Sequence, residues 1–311
     1  MPLTVLHSWE NLAPAMRGAA VAFGNYDGVH IGHRAVIAEA GLAARRLGAP
    51  LGVVSLEPHP LTLFNPGGPP FRLTNPQQLA RAVEAAGADR LYLVPFGHET
   101  ANLSDRAFVE DILVRGLGVR HVAVGFDVTF GKGRSGNPET MRRYGEEFGF
   151  TVSVAEMVAE DGSKISSTAI RELLRAGEPE HAARLLGRPF AIEGVVQKGR
   201  QLGRKLGIPT ANVPLDAYVV PRFGVYATRT RLKDGRHLPG VANVGQNPTT
   251  GLVDARLEVF IFDFDEDIYG ETIETELIGF IRPEEKFAGG VEEMLAVIRG
   301  DVVKAREILG L

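Results

Sequence analysis

Gly24-Asn25-Tyr26-Asp27-Gly28-Val29-His30-Ile31-Gly32-His33 follows the apolar run Ala19–Phe23 and leads straight into a helix-like stretch, Arg34–Leu47. Three glycines permit a tight turn and close backbone approach, while the helix start presents N–H groups to an anion. His30 and His33, three apart at that start, can face one ligand and donate hydrogen bonds to phosphate oxygens as charge moves. The other reading of the stretch is a glycine-rich turn carrying two surface histidines. It is neither of two familiar phosphate loops, because the Gly-x-Gly-x-x-Gly spacing and the Gly-Lys-Ser/Thr ending are both absent.

Outward from this loop, the same alternation repeats. Leu51–Leu56, Arg90–Val94, His121–Val124 and Thr151–Val154 are short apolar runs, separated by helix-like stretches at Gln77–Ala86, Asp105–Leu117 and Glu139–Phe148. Ser104 is placed to cap the second of these, and Phe108, Ile112 and Leu113 give it an apolar stripe. Near-continuous apolar strands between helices predict a Rossmann-like α/β domain with a mostly parallel sheet covered on both faces. Such sheets bind ligands at the carboxyl ends of their strands. Two short helices follow, Ser166–Arg175 and Glu178–Leu186.

After Gly187-Arg188-Pro189 the period changes. Phe190–Gln197, Gly224–Thr230, Leu238–Val244, Leu257–Asp263 and Thr272–Ile281 are rich in branched and aromatic residues between Gly, Pro and Asp turns. Few helical patterns intervene until Val291–Arg299 and Val302–Leu309, which predicts an antiparallel β-barrel with C-terminal helices. The domains are expected at 1–185 and 186–311.

Composition narrows the function classes. A formal net charge of -4 argues against a general nucleic-acid or polyanionic-membrane binder. The absence of cysteine excludes disulfides, thiolate nucleophiles and cysteine-ligated metals. No stretch approaches the roughly 20 apolar residues that span a bilayer, and the amino terminus lacks a secretory pattern. A cytoplasmic location is the default expectation.

Three further stretches carry candidate chemistry. In Lys164-Ile165-Ser166-Ser167-Thr168-Ala169-Ile170-Arg171, hydroxyls at a helix start can cap it or bind phosphate, and Arg171 offers a fork for phosphate oxygens. In Gly199-Arg200-Gln201-Leu202-Gly203-Arg204-Lys205-Leu206-Gly207-Ile208-Pro209-Thr210-Ala211-Asn212, glycines and a basic cluster that begins at Lys198 can wrap a phosphate. Thr210 and Asn212 there offer neutral oxygens suited to magnesium; the competing reading is a basic surface hairpin. Glu258, in Leu257-Glu258-Val259-Phe260-Ile261-Phe262, is either a solvated strand residue or a base for a substrate hydroxyl.

Taken together, these stretches resemble the bacterial bifunctional riboflavin kinase/FMN adenylyltransferase (FAD synthetase) family. Gly24–His33 is similar to its His-x-Gly-His nucleotidyltransferase loop, and Ile165–Arg171 to its Ile-Ser-Ser-Thr-x-Ile-Arg signature. Glu57-Pro58-His59-Pro60 and the run from Gly125 to Arg134 also resemble family segments. From Gly194 to about Asp301 the likeness is to the riboflavin kinase half: Pro-Thr-Ala-Asn at 209–212, Gly224-Val225-Tyr226, Asn243-Val244-Gly245, Glu258, and Phe280-Ile281-Arg282-Pro283.

The resemblance implies two reactions: riboflavin and ATP give FMN and ADP, then FMN and ATP give FAD and pyrophosphate, both with Mg²⁺. It implies that His30, His33 and Arg171 act on the ATP phosphates of the adenylyl transfer, with Gly24, Asn25, Asp27, Gly28, Asp127, Ser166 and Thr168 around the nucleotide. In the kinase half it implies Thr210 and Asn212 as metal ligands and Glu258 as base. Gly199, Arg200, Gly203 and Lys205 would hold nucleotide, and Arg282 would frame the flavin. The chain departs from the family where Val128-Thr129 replaces the usual Phe-Arg, and at Lys198, Asn247 and Phe260, where His, Arg and His are common. Small molecules are the expected partners, with no nucleic acid or membrane, in a monomer or weak homo-oligomer. The alternatives are a monofunctional riboflavin kinase with a weakened adenylyltransferase domain, a general nucleotidyltransferase with an accessory barrel, or a non-catalytic flavin or nucleotide sensor.

Overall fold

The computed structural model describes residues 2–160, 162–198, 208–246, 255–285 and 290–311. They pack as two units: Met1–Gly68 with Pro76–Ile165, and Pro69–Asn75 with Ser166–Leu311. By packing, the chain therefore divides earlier than the change of period near residue 185.

The first unit runs β1 (Thr4–Leu6), β2 (Ala20–Phe23), α1 (Ile31–Leu47), β3 (Leu51–Glu57), α2 (Pro76–Ala85), β4 (Arg90–Pro95), α3 (Phe108–Gly116), β5 (His121–Gly125), α4 (Pro138–Phe148) and β6 (Thr151–Ala155). A small hairpin, β7 (Ala159–Glu160) and β8 (Ser163–Lys164), follows. Six strands form one parallel sheet in the order β1-β4-β3-β2-β5-β6. All four residues of β2 are buried, and alternation divides them between two cores. Ala20 and Ala22 meet Val36, Ile37 and Ala40 of α1 on one face. Val21 and Phe23 meet Phe108, Ile112 and Met141 on the other. Small side chains on the α1 face let that long helix sit close to the strands.

Ser104 does cap a helix start, accepting from the backbone N–H of Ala107 at 3.1 Å. One turn later the coil widens into the π-helical α3, which buries Phe108, Val109, Ile112 and Leu113. The order of the sheet reverses at β2, with β3 and β4 to one side and β5 and β6 to the other. A crevice therefore lies beyond the carboxyl ends of β2 and β5, where an open parallel sheet receives ligands.

The second unit begins with α5 (Ser167–Ala176) and α6 (Pro179–Leu186). It continues through β9 (Phe190–Val195), β10 (Ala211–Pro214), β11 (Gly224–Arg231), β12 (His237–Gln246), β13 (Ala255–Ile261), β14 (Thr272–Pro283) and α7 (Gly290–Leu309). The strands pair antiparallel in the order β10-β13-β12-β11-β14-β9. A bridge between Gln197 and Asn212, with the Gln197 N–H donating to the Asn212 carbonyl at 2.8 Å, brings the two edges together into a nearly closed barrel. Pro69–Asn75 joins this unit through Arg72, whose N–H donates to the Ala217 carbonyl and whose own carbonyl accepts from Val219. In place of the two expected terminal helices there is one, 20 residues long. Its buried residues Asp301, Ala305 and Leu309, spaced by four, all follow Gly300, and the helix runs through that glycine without a break.

Candidate active sites

In the first unit, the loop after β2 is built around His30. Its Nδ1 accepts from the backbone N–H of His33 at 3.2 Å, which makes it the N-cap of α1. With Nδ1 an acceptor, the neutral ring carries its proton on Nε2. The His33 ring stacks on it, centroids 3.6 Å apart and 17° from parallel. Tyr26 packs 5.0 Å from His33 and is buried. Burial pushes its hydroxyl pKa up, so the group stays a phenol. Two glycines are demanded by geometry. Gly28 has φ +90, and a Cβ on Gly32 would stand 3.2 Å from the His30 ring. Asp27 and His30 are buried, whereas Asn25 is exposed.

Asp127 stands two residues beyond β5, across the switch point, and pairs with Lys164. The Lys164 ammonium also lies 5.1 Å from the centre of the Phe126 ring. The two loops that border the crevice thus bring one histidine pair and one carboxylate–ammonium pair to the same edge of the sheet. Val128 is taken up by core packing, while Thr129, Lys132 and Arg134 are exposed. Of the neighbouring Glu57–Pro60 stretch, His59 repeats the device of His30: its Nδ1 accepts from the Leu61 N–H at 3.2 Å and caps a short helix, Pro60–Phe64.

In the second unit, Ser166 is the N-cap of α5, its hydroxyl accepting from Ala169 at 3.2 Å. Thr168 is exposed in the first turn. Arg171 is buried, with Nε donating to the Phe71 carbonyl at 2.7 Å and its guanidinium 5.5 Å from the Phe71 ring. Part of the donor fork expected on phosphate is therefore engaged in holding Pro69–Asn75.

The kinase-type residues converge through strand register. Asn212 on β10 and Asn243 on β12 are the two cross-strand partners of Glu258 on β13. All three stand in one row on one face of the sheet, while Leu257 and Val259 are buried on the other. Asn212 is buried, and its Nδ2 lies 3.4 Å from the Thr210 carbonyl, which leaves Oδ1 as the acceptor of the amide. Asn243 Nδ2 donates to Glu284 Oε1 at 3.1 Å, so a second carboxylate joins the row. Thr210 also lines a cavity of about 270 Å³ together with Val196, Val259, Ile261, Ile268 and Tyr269. Lys198 reaches the same place, 5.8 Å from the Tyr269 ring.

Arg282 faces elsewhere. Nε and Nη2 donate to the two oxygens of Asp301 at 2.9 and 2.8 Å, and Nη1 donates to the Pro283 carbonyl at 3.0 Å. Asp301 holds the guanidinium pKa above its ordinary value. The fork thus seats α7. Gly199, Arg200, Gly203, Lys205 and Asn247 lie outside the described residues.

Asn243 and Glu284 take their places by register across strands far apart in sequence. Phe64 and Phe126 are exposed and Phe96 half-buried in the connections after β3, β5 and β4, apolar side chains where a parallel sheet binds ligands.

The comparisons match the chain in two parts. A FAD synthetase family model matches residues 12–169, and a riboflavin kinase model matches residues 186–309. Fold and sites together define a flavin-nucleotide transferase with an α/β domain followed by a kinase barrel. The bifunctional riboflavin kinase/FMN adenylyltransferase of Pseudomonas fluorescens is 41% identical over 98% of both chains. That of Escherichia coli K12 is 39% identical over 99% of both, and that of Bacillus subtilis 37% identical over 92% of this chain and 91% of its own. The chain belongs to the bifunctional riboflavin kinase/FMN adenylyltransferase family. A crystal structure described as a macrolide-efflux protein from Streptococcus pneumoniae also superposes, with a TM-score of 0.86 at 30% identity over 98% of this chain and 99% of that one. Among the described residues no helix is long and apolar enough to cross a membrane.

Proposed function

We propose that this chain makes FMN from riboflavin in its second domain, 186–311, and FAD from FMN in its first, 1–185, spending one ATP at each step. It is an enzyme of both types, a riboflavin kinase and an FMN adenylyltransferase. The observation that supports the reading is the row Asn212–Glu258–Asn243, because it sets a carboxylate directly between two amide groups at the end of the Thr210–Asn212 stretch.

In the kinase step the 5′-hydroxyl of riboflavin attacks the γ-phosphorus of ATP. The bond to the bridging oxygen breaks, ADP leaves, and Glu258 takes the hydroxyl proton. A primary alcohol is a poor nucleophile, so removing its proton and aligning it in line with the leaving group are what the protein supplies. The donor set fits magnesium. Asn212 Oδ1 and the Thr210 hydroxyl are hard, neutral oxygens, and a magnesium ion takes its remaining ligands from substrate phosphates and water. When bound, the ion supplies charge neutralisation at the phosphates. The base of ATP enters the cavity lined by Val196, Val259, Ile261, Ile268 and Tyr269, and Gly199, Arg200, Gly203 and Lys205 close on its phosphates.

In the adenylyl step an FMN phosphate oxygen attacks the α-phosphorus of ATP and pyrophosphate departs. The nucleophile is already an anion near pH 7, so no strong base is needed. His30 Nε2–H and His33 meet the charge that builds on the phosphate oxygens. Gly24, Asn25, Asp27 and Gly28 form the turn that receives the nucleotide, with Asp127 opposite. Ser166, Thr168 and Arg171 bind nucleotide phosphate. Phe64, Phe96 and Phe126 offer the flavin ring aromatic surface. Arg282, anchored on Asp301, supports the flavin side of the kinase barrel from behind. The chain works in the cytoplasm on small molecules, as a monomer or weak homo-oligomer.

Glu258→Gln tests the assignment. Glu258 is exposed, so the variant folds; FMN formation from riboflavin falls by about 10²–10⁴-fold, while FAD formation from supplied FMN is unchanged. Undiminished phosphorylation by this variant would remove Glu258 as the base.

A further inference from the structure

One wall of the Thr210 cavity is a connection, not a strand. Phe264, Asp265, Glu266, Asp267, Ile268 and Tyr269 all line the cavity and lie between β13 and β14. The two ends of this connection are pinned by backbone bonds, Phe262 N–H to the Pro239 carbonyl and Gly270 N–H to the Val196 carbonyl, each 2.9 Å. Its middle is gripped from outside by Arg236, at the turn between β11 and β12. Nη1 and Nη2 of Arg236 donate to the two oxygens of Glu266 at 2.7 and 2.8 Å. The guanidinium also lies 5.8 Å from the Phe264 ring. The arginine is itself oriented by Asp234, which accepts from its Nε at 2.6 Å and from its backbone N–H at 3.0 Å.

We propose that Arg236 is a positioning residue for riboflavin phosphorylation: a latch, outside the cavity, that holds the Phe264–Tyr269 wall in the shape that receives ATP. This rests on the reading that the cavity receives the nucleotide. The Arg236 and Glu266 side chains are 44% and 53% exposed, and an isolated surface pair of that kind contributes little to global stability. A planar fork held on two carboxylates at once is a different case, because both partners are fixed in direction as well as distance. Its effect falls on the loop: a wall already ordered costs the nucleotide less on binding. The expected signature is therefore weaker ATP binding with little change in the chemical step or in folding.

The experiment measures steady-state riboflavin phosphorylation by the full chain, with FAD formation from FMN and thermal unfolding recorded on the same preparations. Arg236→Ala is expected to raise KM for ATP in the kinase reaction about five-fold, with kcat within about two-fold. KM for riboflavin, the adenylyl transfer and the unfolding midpoint stay unchanged. Arg236→Lys gives a smaller rise, since an ammonium cannot make the paired contact. Glu266→Gln weakens ATP binding too, and the double variant with Arg236→Ala is no worse than Arg236→Ala alone. Ile268→Glu, which puts a charge into the cavity itself, raises KM for ATP whether or not the latch matters. An unchanged KM in Arg236→Ala beside a raised one in Ile268→Glu overturns the latch and leaves the cavity assignment standing. An unchanged KM in both overturns the cavity assignment, and the latch with it.

Discussion

His30 caps α1 through Nδ1, and the proposed function adds a second role on the substrate, so an ordinary deletion would mix two effects. His30→Ala removes both, and its lost cap alone costs about 1 kcal/mol. Asparagine is a good N-cap that cannot act as an acid. His30→Asn is therefore expected to unfold within a few degrees of the parent while FAD formation from FMN falls by about 10²-fold. A normal adenylyl-transfer rate in this variant would leave His30 as a cap only. The same residue shows what spacing can reveal. Two histidines three apart at a helix start are visible in sequence, and they stack as that spacing requires. The capping use of Nδ1 is not visible, because it depends on a rotamer. Arg171 and Arg282 are a sharper case. Their positions match the family signature, yet Phe71 and Asp301 engage much of their donor capacity. Those partners are set by tertiary packing and leave no mark in the local sequence.

Among elements, β5 carries a buried histidine that the reactions do not use. His121 bonds Thr151 through Nδ1 at 2.8 Å and Ser153 through Nε2 at 2.9 Å, both on β6. Burial, helped by Arg46, pushes its pKa down to about 4. The unfolded chain titrates this group near 6.5, so between there and about 4 the unfolded state takes up a proton that the folded state refuses. Its contribution is whole above about 6.5 and is lost as the pH falls towards 4, an effect on the order of 2 kcal/mol. Denaturant titrations of the parent and His121→Gln at pH 7.5 and 4.5 should show the parent losing stability over that interval more steeply than the variant. Equal losses would mean the histidine is not protected. At the other end of the chain, Asp301→Ala leaves Arg282 half-buried without its carboxylate. Breaking such a pair costs about 3 kcal/mol, and α7 should lose amide-exchange protection before the barrel does. The long strands and helices were legible because their periods are strong. Three-residue β1 has too few side chains to show a period. Four-residue β10 was concealed by its role in the Thr210–Asn212 motif. Gly300 interrupts the local pattern, so the sequence predicts two terminal helices where the chain forms one.

On the scale of the whole molecule, the two halves reflect different ways of making a site. The α/β unit carries its candidate residues on loops that leave one end of a parallel sheet, so they stand out in loop sequences that follow apolar runs. The proposed site of the barrel is a row across strands, where Asn212, Glu258 and Asn243 are neighbours by register although 46 and 15 residues separate them in sequence. Thr210, Asn212 and Glu258 stand out in the sequence by residue type and by likeness to a family, and Asn243 by the likeness alone; the cavity wall and its arginine leave no such mark. The proposed roles differ in chemistry, a base in one step and charge stabilisation in the other, so each activity is expected to be lost separately on substitution. The most direct test is a chromatographic time course of the full chain with riboflavin, excess ATP and Mg²⁺, repeated with FMN in place of riboflavin. FMN appearing first and FAD after it, with FAD formed at once from supplied FMN, is the predicted result. FMN that accumulates and is never converted, even when supplied, would contradict the account and leave a riboflavin kinase alone.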